Sequence, residues 1–319
     1  MSEITLEHIR DAAARIRPLA HSTPVMTSQT FDREVGAQVF FKCENFQRGG
    51  AFKIRGAANF ILSMPRESVE RGVVAFSSGN HAQAVAIAAR YVGAPATIVM
   101  PTDAPHSKVE ATRGYGASII TYDRLREDRE VIGRRIAGET GATLIPPFDN
   151  PSIIAGQGTA ALELLEQVPD LDALVSPIGG GGLLAGCATA SRALNPGIRL
   201  FGVEPEDGND TYLSMRSADR VEIPPPKTIA DGLRSLKPGA ITFPILQKLL
   251  EEIVLVTDDE IKAAVRFLVA RLKIVVEPSG AVGPAALLAR KLPAGGKRIG
   301  VILSGGNIDL DLLATLSTS

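Results

Sequence analysis

The run SPIGGGGLLAG, Ser176 to Gly186, decides the fold class of this 319-residue chain. ALVSPI at 173–178 is apolar and β-prone, Gly179–Gly182 suits neither strand nor helix, and from Leu183 to Leu194 apolar residues recur at helical spacing. A strand that runs into glycines and then into a helix is half of a βαβ unit. The glycines let backbone N–H groups converge on one point, and the helix dipole adds partial positive charge there. The stretch therefore reads as an anion seat, a phosphate above all, because a mere turn would not require the conformational entropy that a glycine run costs. It also satisfies a permissive G-x-G-x-x-A through Gly180, Gly182 and Ala185, with Glu204 after the next strand where a ribose-binding acid would sit. A dinucleotide is thus a competing ligand at this point.

Outward from that run the same alternation continues. AQVFFKCE, VVAF, ATIVM, ASIITY, ATLI, RLFGVE, EIVLV and RIGVIL read as strands, and Lys53–Leu62, Asn80–Tyr91, Asp258–Leu272 and Gly280–Leu292 as helices between them. The class is α/β, two doubly wound domains with parallel sheets. Breaks at Pro65–Arg71 and at PPFDNP, Pro146–Pro151, predict a small mobile domain over 72–149 inserted in a larger one made of 1–71 and 150–319, with a ligand cleft between them. The EIPPPK turn, Glu222–Lys227, reads as a surface loop.

Composition narrows the function. Lys+Arg 34 against Asp+Glu 35 leaves a formal charge of −1, and no basic run is interleaved with aromatics, so neither nucleic acid nor an anionic membrane is an expected partner. A small molecule is. The N-terminal stretch lacks the basic head and apolar core of a secretory signal, and no apolar run reaches the ~20 residues a bilayer requires, so the cytoplasm is the expected location. Cys43 and Cys187 stand apart from any CxxC or nearby His and read as buried packing residues.

Three further stretches carry chemistry. In FKCENFQRGGAFKIRGAANF, Phe41–Phe60, a Gly49–Gly50 turn precedes Lys53 at the start of an apolar helix, where dipole and partial burial lower the pKa of an amine toward a free nucleophile. SSGNHAQA, Ser77–Ala84, follows strand VVAF and opens a helix, which makes it either a second anion pocket or a plain helix cap. SGGN, Ser304–Asn307, closes strand RIGVIL at the carboxyl end, where open α/β sheets bind ligands.

Taken in order, GAFKIRGA, SSGNHAQA, SPIGGGGLLAG, GVEPEDGND and LSGGN resemble the fold type II pyridoxal-phosphate enzymes, within them the serine racemase and serine/threonine dehydratase group, over nearly the whole chain. The resemblance implies a tryptophan synthase β-like fold, a homodimer, and pyridoxal 5'-phosphate held by Lys53 as a Schiff base in the cleft. It implies Phe52 against the pyridine ring, Asn80 on its 3′-oxygen, the phosphate on Gly179, Gly180, Gly181, Gly182 and Leu183, and Ser304 at the pyridine nitrogen. A neutral hydroxyl there leaves the ring a weaker electron sink, which suits expulsion of a β-hydroxyl rather than transamination. The implied activity is dehydration and deamination of a small β-hydroxy amino acid, L-serine, L-threonine or L-threo-3-hydroxyaspartate, to a 2-oxo acid and ammonia. Serine racemisation is the alternative. An NAD-dependent oxidoreductase and a non-catalytic amino-acid-binding protein are more distant ones.

By the same resemblance Ser77, Asn80 and His81 hold the substrate carboxylate, and Ser78 on the face opposite Lys53 exchanges a proton in racemisation, its other reading being a polar cavity residue. Arg129 in YDRLREDRE reaches a distal carboxylate, or else is one more solvated arginine beside Arg124, Arg126, Arg134 and Arg135. Glu204, the Gly208 carbonyl and Asp210 bind a divalent cation, Mg²⁺, Mn²⁺ or Ca²⁺, the alternative being an acidic surface turn.

Overall fold

Every apolar run read as a strand forms one, in a computed structural model that describes residues 4–77, 79–104, 106–294 and 297–318. In chain order the strands are β1 (Val25–Met26), β2 (Gln38–Cys43), β3 (Val73–Phe76), β4 (Ala96–Pro101), β5 (Ser118–Tyr122), β6 (Thr143–Leu144), β7 (Ala173–Pro177), β8 (Arg199–Pro205), β9 (Glu252–Val256) and β10 (Arg298–Leu303). β1 escapes sequence reading because two residues show no period. ATLI shrinks to the two-residue β6 at the edge of its sheet.

These strands make a six-stranded sheet in the order β1-β2-β10-β7-β8-β9 and a four-stranded sheet in the order β5-β4-β3-β6. All pairs are parallel except β1 with β2. Parallel strands covered by helices on both faces are apolar throughout rather than alternating, as β7 and β10 are. β10 lies between β2 and β7, with Val301 opposite Phe41 on one side and Val175 on the other. The carboxyl ends of β2, β10 and β7 therefore lie side by side, and they lead into the Lys53 segment, Ser304 and the glycine run. β3, in the other sheet, leads into Ser77 and Asn80.

The helix Lys53–Leu62 belongs to the wall between the sheets. Its Ile54, Ala57, Ala58 and Ile61 pack with Ala82, Val85, Ala86 and Ala89 of the helix Asn80–Val92, small residues that let the two backbones come close. Its other side carries Arg55, fully buried. The Arg55 guanidinium donates to both oxygens of Glu44 at 2.7 and 2.8 Å, to both oxygens of Glu163 at 2.7 and 2.8 Å, and to Thr159 Oγ1 at 3.0 Å. Buried Lys42 reaches Glu163 at 2.7 Å, and Thr23 donates to Glu44 at 2.6 Å. Two cations thus face two carboxylates, joining the end of β2, the Lys53 helix and the helix Pro151–Gln167. Among the described residues no helix is long and apolar enough to cross a membrane.

Candidate active site

Between the carboxyl ends of the two sheets lies a cleft of about 780 Å³, walled by Phe52, Lys53, Asn80, His81, the glycine run and Ser304. Lys53 is the first residue of its helix, and its Nζ donates to the Pro147 carbonyl at 2.8 Å and stands 5.1 Å from the Phe52 ring centroid. Burial pushes its pKa down to about 8, partly opposed by the Glu277 carboxylate. A useful fraction of free amine is therefore present near neutrality.

The glycine run turns out of β7 and opens the helix Gly182–Leu194, whose amino end has no side-chain cap. A Cβ at Gly180 would lie 2.4 Å from the Phe148 ring, which would have to move to admit it. Gly181, at φ 91°, takes a backbone conformation that L side chains rarely adopt. Thr242 Oγ1 donates to the Gly180 carbonyl at 2.7 Å and so occupies that oxygen, and the N–H groups of the turn are the donors an anion could use.

Across the cleft the helix Asn80–Val92 begins after Gly79, again without a side-chain cap. Among the described residues neither Ser77 nor Asn80 caps it. Asn80 instead donates to Glu277 at 2.7 Å and accepts from Asn307 at 2.8 Å, and Asn307 also donates to the Gly49 carbonyl at 2.7 Å. Ser77 lines the cleft and accepts the Gly79 N–H at 3.2 Å. His81 is buried, its pKa lowered to about 3 by burial and by the charge on Lys53, and Nε2 lies 3.0 Å from the Ile145 carbonyl. That carbonyl can only accept, so the neutral ring carries its hydrogen on Nε2. What His81 offers a carboxylate is its main-chain N–H in the open first turn. Ser78 lies outside the described residues.

Arg129 opens the helix Arg129–Thr140 on the same cleft, its guanidinium 5.7 Å from the Phe76 ring centroid. Arg129 is itself exposed, and Arg124, paired with Asp103, lines the cleft beside it, whereas Arg126 and Arg134 form solvent-exposed pairs with Asp123 and Glu130. The EIPPPK stretch is a surface loop as expected, with Glu222, Pro224, Pro225 and Lys227 exposed; Ile223 is its buried anchor, and Pro225 and Pro226 also line the cleft.

The family model for pyridoxal-phosphate dependent enzymes matches residues 16–305. The chain belongs to that family. It is 53% identical to the L-threo-3-hydroxyaspartate ammonia-lyase of Saccharomyces cerevisiae, over 98% of this chain and 96% of that one. It is 49% identical to a serine racemase of Schizosaccharomyces pombe, over 97% and 96%. Among solved structures, maize serine racemase superposes with a TM-score of 0.95 at 46% identity, covering 98% of this chain and 97% of that one. The fold is that of the type II members, the chain is an enzyme of the β-eliminating and racemising group, and the dinucleotide and non-catalytic readings fall away.

The site suits the family's cofactor on its own terms. A half-buried amine of lowered pKa and a close-packed turn of backbone donors line the same cleft, and an aromatic ring stands beside the amine.

Away from this cleft, Glu204 and Asp210 are both fully buried, and neither Asp210 oxygen meets a hydrogen-bond partner among the described residues. Glu204 accepts the Thr211 and Tyr212 N–H groups. Burial together with Asp210 raises the Glu204 pKa well above its usual value, and burial lifts Asp210 to about 7. An acidic surface turn would be solvated, so that reading does not survive. No group of at least three His, Cys, Asp or Glu that could hold a metal occurs among the described residues, and any site here needs main-chain oxygen such as that of Gly208.

Several residues at the cleft were given no role in sequence. Glu277 and Asn307 orient Asn80, and Pro147 and Phe148 meet Lys53 and Gly180. Each has a signal: an acid inside the apolar run KIVVEPSGAVG, the last residue of SGGN, and the PPFDNP stretch, whose prolines mark a break but say nothing of the Phe and Asp between them.

Proposed function

We propose that this enzyme eliminates water and then ammonia from L-threo-3-hydroxyaspartate in preference to L-serine and L-threonine. The observation that carries the reading is Arg129, whose guanidinium stands on the wall of the cleft that holds Lys53. Bound pyridoxal phosphate supplies the electron sink for charge developing at the substrate α-carbon. This chain's residues supply the rest. The N–H groups at the glycine run would seat the cofactor phosphate, Asn80 would serve its 3′-oxygen, and Ser304 would meet the pyridine nitrogen with a neutral hydroxyl. Ser77 and the open first turn at Asn80 and His81 hold the α-carboxylate. Lys53 Nζ would take the α-proton, an equivalent proton would be delivered to the β-hydroxyl so that it leaves as water, and the released enamine would take up water to give the 2-oxo acid and ammonia. Arg129 orients the distal carboxylate as a bidentate partner.

Comparing kcat/KM for the three substrates tests this. Arg129→Ala is expected to lower the value for 3-hydroxyaspartate by about 100-fold, and those for serine and threonine by less than about threefold. Equal losses on all three would leave Arg129 a surface residue and the enzyme a general dehydratase. Relatives named serine racemase support a second activity, with Ser78 as its proton donor. Ser78→Ala should then suppress D-serine formation far more than pyruvate formation in the same reaction.

We further propose that Glu204, the Gly208 carbonyl and Asp210 bind a divalent cation, which the paired buried carboxylates call for. Chelation is expected to lower Tm, and Mg²⁺ or Mn²⁺ to restore it, because a ion bound only to the folded loop adds its binding free energy to stability. Glu204→Ala with Asp210→Ala should abolish the response, and a Tm indifferent to chelator would refute the site. The mobile unit at 72–149, the homodimer and the cytoplasmic location are expectations for chain-resolved hydrogen exchange, sedimentation and cell fractionation to decide.

A further inference from the structure

The segment Pro146–Asn150 returns the chain from the four-stranded sheet to the helix Pro151–Gln167, and it passes directly over the site. Three consecutive residues in it point at three different things. The Pro147 carbonyl accepts from Lys53 Nζ at 2.8 Å. The Phe148 ring covers Gly180. The Asp149 carboxylate crosses to the amino end of the helix Thr242–Leu249, taking the Ala240 N–H on one oxygen at 2.8 Å and the Ile241 and Thr242 N–H groups on the other at 2.8 and 3.3 Å.

That helix has no cap from its own N-cap residue, Ile241. Asp149, some 90 residues earlier in the chain, does the capping. The capped end also holds the glycine run: Thr242 Oγ1 donates to the Gly180 carbonyl at 2.7 Å and the Gly239 N–H to the same oxygen at 3.3 Å. Gly239 lies so close under the carboxylate that a Cβ there would come within 2.2 Å of Asp149 Oδ1. A closed circuit results, from Lys53 to Pro147, through Asp149 to residues 240–242, and from Thr242 to Gly180.

We infer that Asp149 is a positioning residue for this site: by capping the Thr242 helix from across the cleft it fixes the Pro147 carbonyl against Lys53 and the Phe148 ring against Gly180, so that amine and anion seat keep one register. The inference rests on the reading of Lys53 as the reactive amine and of the glycine run as the phosphate seat. Its alternative is that Asp149 is a cap and nothing more, worth a little stability and silent in the chemistry.

Lys53 distinguishes the two. Hydrogen bonding of an ammonium to a carbonyl favours the charged form, so a displaced Pro147 carbonyl lowers the proton affinity of the lysine further below its value of about 8. General loosening would do the opposite, because admitted water relieves the burial that holds the pKa down. The direction of the shift therefore separates loss of positioning from loss of packing.

The experiment follows the rate at which pyridoxal 5'-phosphate is fixed to Lys53 by borohydride across pH, in full-length protein freed of cofactor, with the modified residue identified by peptide mapping. In folded Asp149→Ala the midpoint is expected to move to lower pH by about one unit, and the cofactor dissociation constant to rise about tenfold, the loss of one charge-assisted hydrogen bond. Asp149→Asn keeps the oxygen that serves Ile241 and Thr242 and should recover most of both. A midpoint that stays put or moves upward in Asp149→Ala overturns the inference while leaving Lys53 as the reactive amine. Failure of the wild-type protein to label at Lys53 overturns the underlying reading instead. If Asp149→Ala does not fold, Asp149→Asn and Thr242→Val decide: a smaller downward shift with the first and weakened cofactor binding with the second support the circuit, and wild-type behaviour in both overturns it.

Discussion

Lys53→Ala loses turnover of every β-hydroxy amino acid by at least about 1,000-fold, together with the visible absorbance that a cofactor bound to lysine gives the protein. The size of the effect follows from two tasks resting on one amine, covalent attachment and proton removal. Assays on a sequence-verified variant check it, and retention of wild-type activity would end the proposal. A second consequence concerns stability in the cofactor-free protein. The folded-state pKa of Lys53 is depressed from 10.5 to about 8, so the chain becomes relatively more stable as pH rises from 8 to 10.5 and carries the full penalty below 8. A shift of that size corresponds to about 3 kcal/mol. Lys53→Met should therefore melt about 5 °C higher than wild type at pH 7, and the advantage should vanish above pH 10.5. Such a trade of stability for reactivity is expected where a site is built around a buried charge.

Arg55→Met is expected to destabilise the protein by about 4 kcal/mol, a fall in Tm of about 8 °C. The substitution keeps an unbranched apolar stem but removes the guanidinium, which leaves Glu44 and Glu163 with Lys42 as the remaining cation of the cluster. Burial acts to raise the Glu44 pKa, yet the guanidinium beside it brings it below the ordinary carboxylate value. In the wild type the stabilisation from that depressed carboxyl is present above the unfolded pKa and is lost as pH falls through the folded one. Without Arg55 the sign reverses: burial raises the Glu44 pKa above its unfolded value, and the variant recovers part of its deficit as pH falls through that raised pKa toward the unfolded one. Adding Glu44→Gln to Arg55→Met should restore about 1 to 2 kcal/mol at pH 7, because it removes the orphaned charge. Thermal melts at pH 5 and 7 decide it. A deficit below about 1 kcal/mol would show that the cluster is solvated in a way its burial denies.

The strand pattern and the glycine-rich turns were legible because their signals are local. Parallel strands buried on both faces leave continuous apolar runs, and Gly179–Gly182, Gly49–Gly50 and SGGN mark places where the backbone itself is the binding surface. Lys53, Ser77, Asn80, His81 and Ser304 sit immediately beyond such runs, so locating the runs located them. What stayed hidden is whatever acts through a partner distant in sequence. Glu277 meets Asn80 across 197 residues and Asn307 meets it across 227, and neither separation leaves a period. Phe148 and Asp149 looked like a domain break because Pro and Asn flank them, although their side chains carry the contacts. Arg55 stood in plain view two residues after Lys53, and nothing local says that an arginine in an apolar helix has two carboxylates waiting for it.

The place of β10 in its sheet bears on the order in which the molecule can be made. Strand β10 separates β2 from β7, and Arg298 pairs with Gln38 across 260 residues of chain. Until those late residues leave the ribosome, the middle of the six-stranded sheet is an open gap flanked by two unsatisfied strand edges, and β2 has nothing but β1 to pair with. The four-stranded sheet is complete by Leu144 and can form while synthesis continues. Ser304 and Asn307 arrive with the strand that closes the gap. A nascent chain of 290 residues would thus carry Lys53 and the glycine run without the structure that brings them together, and cofactor capture becomes a report that translation has passed the final strand.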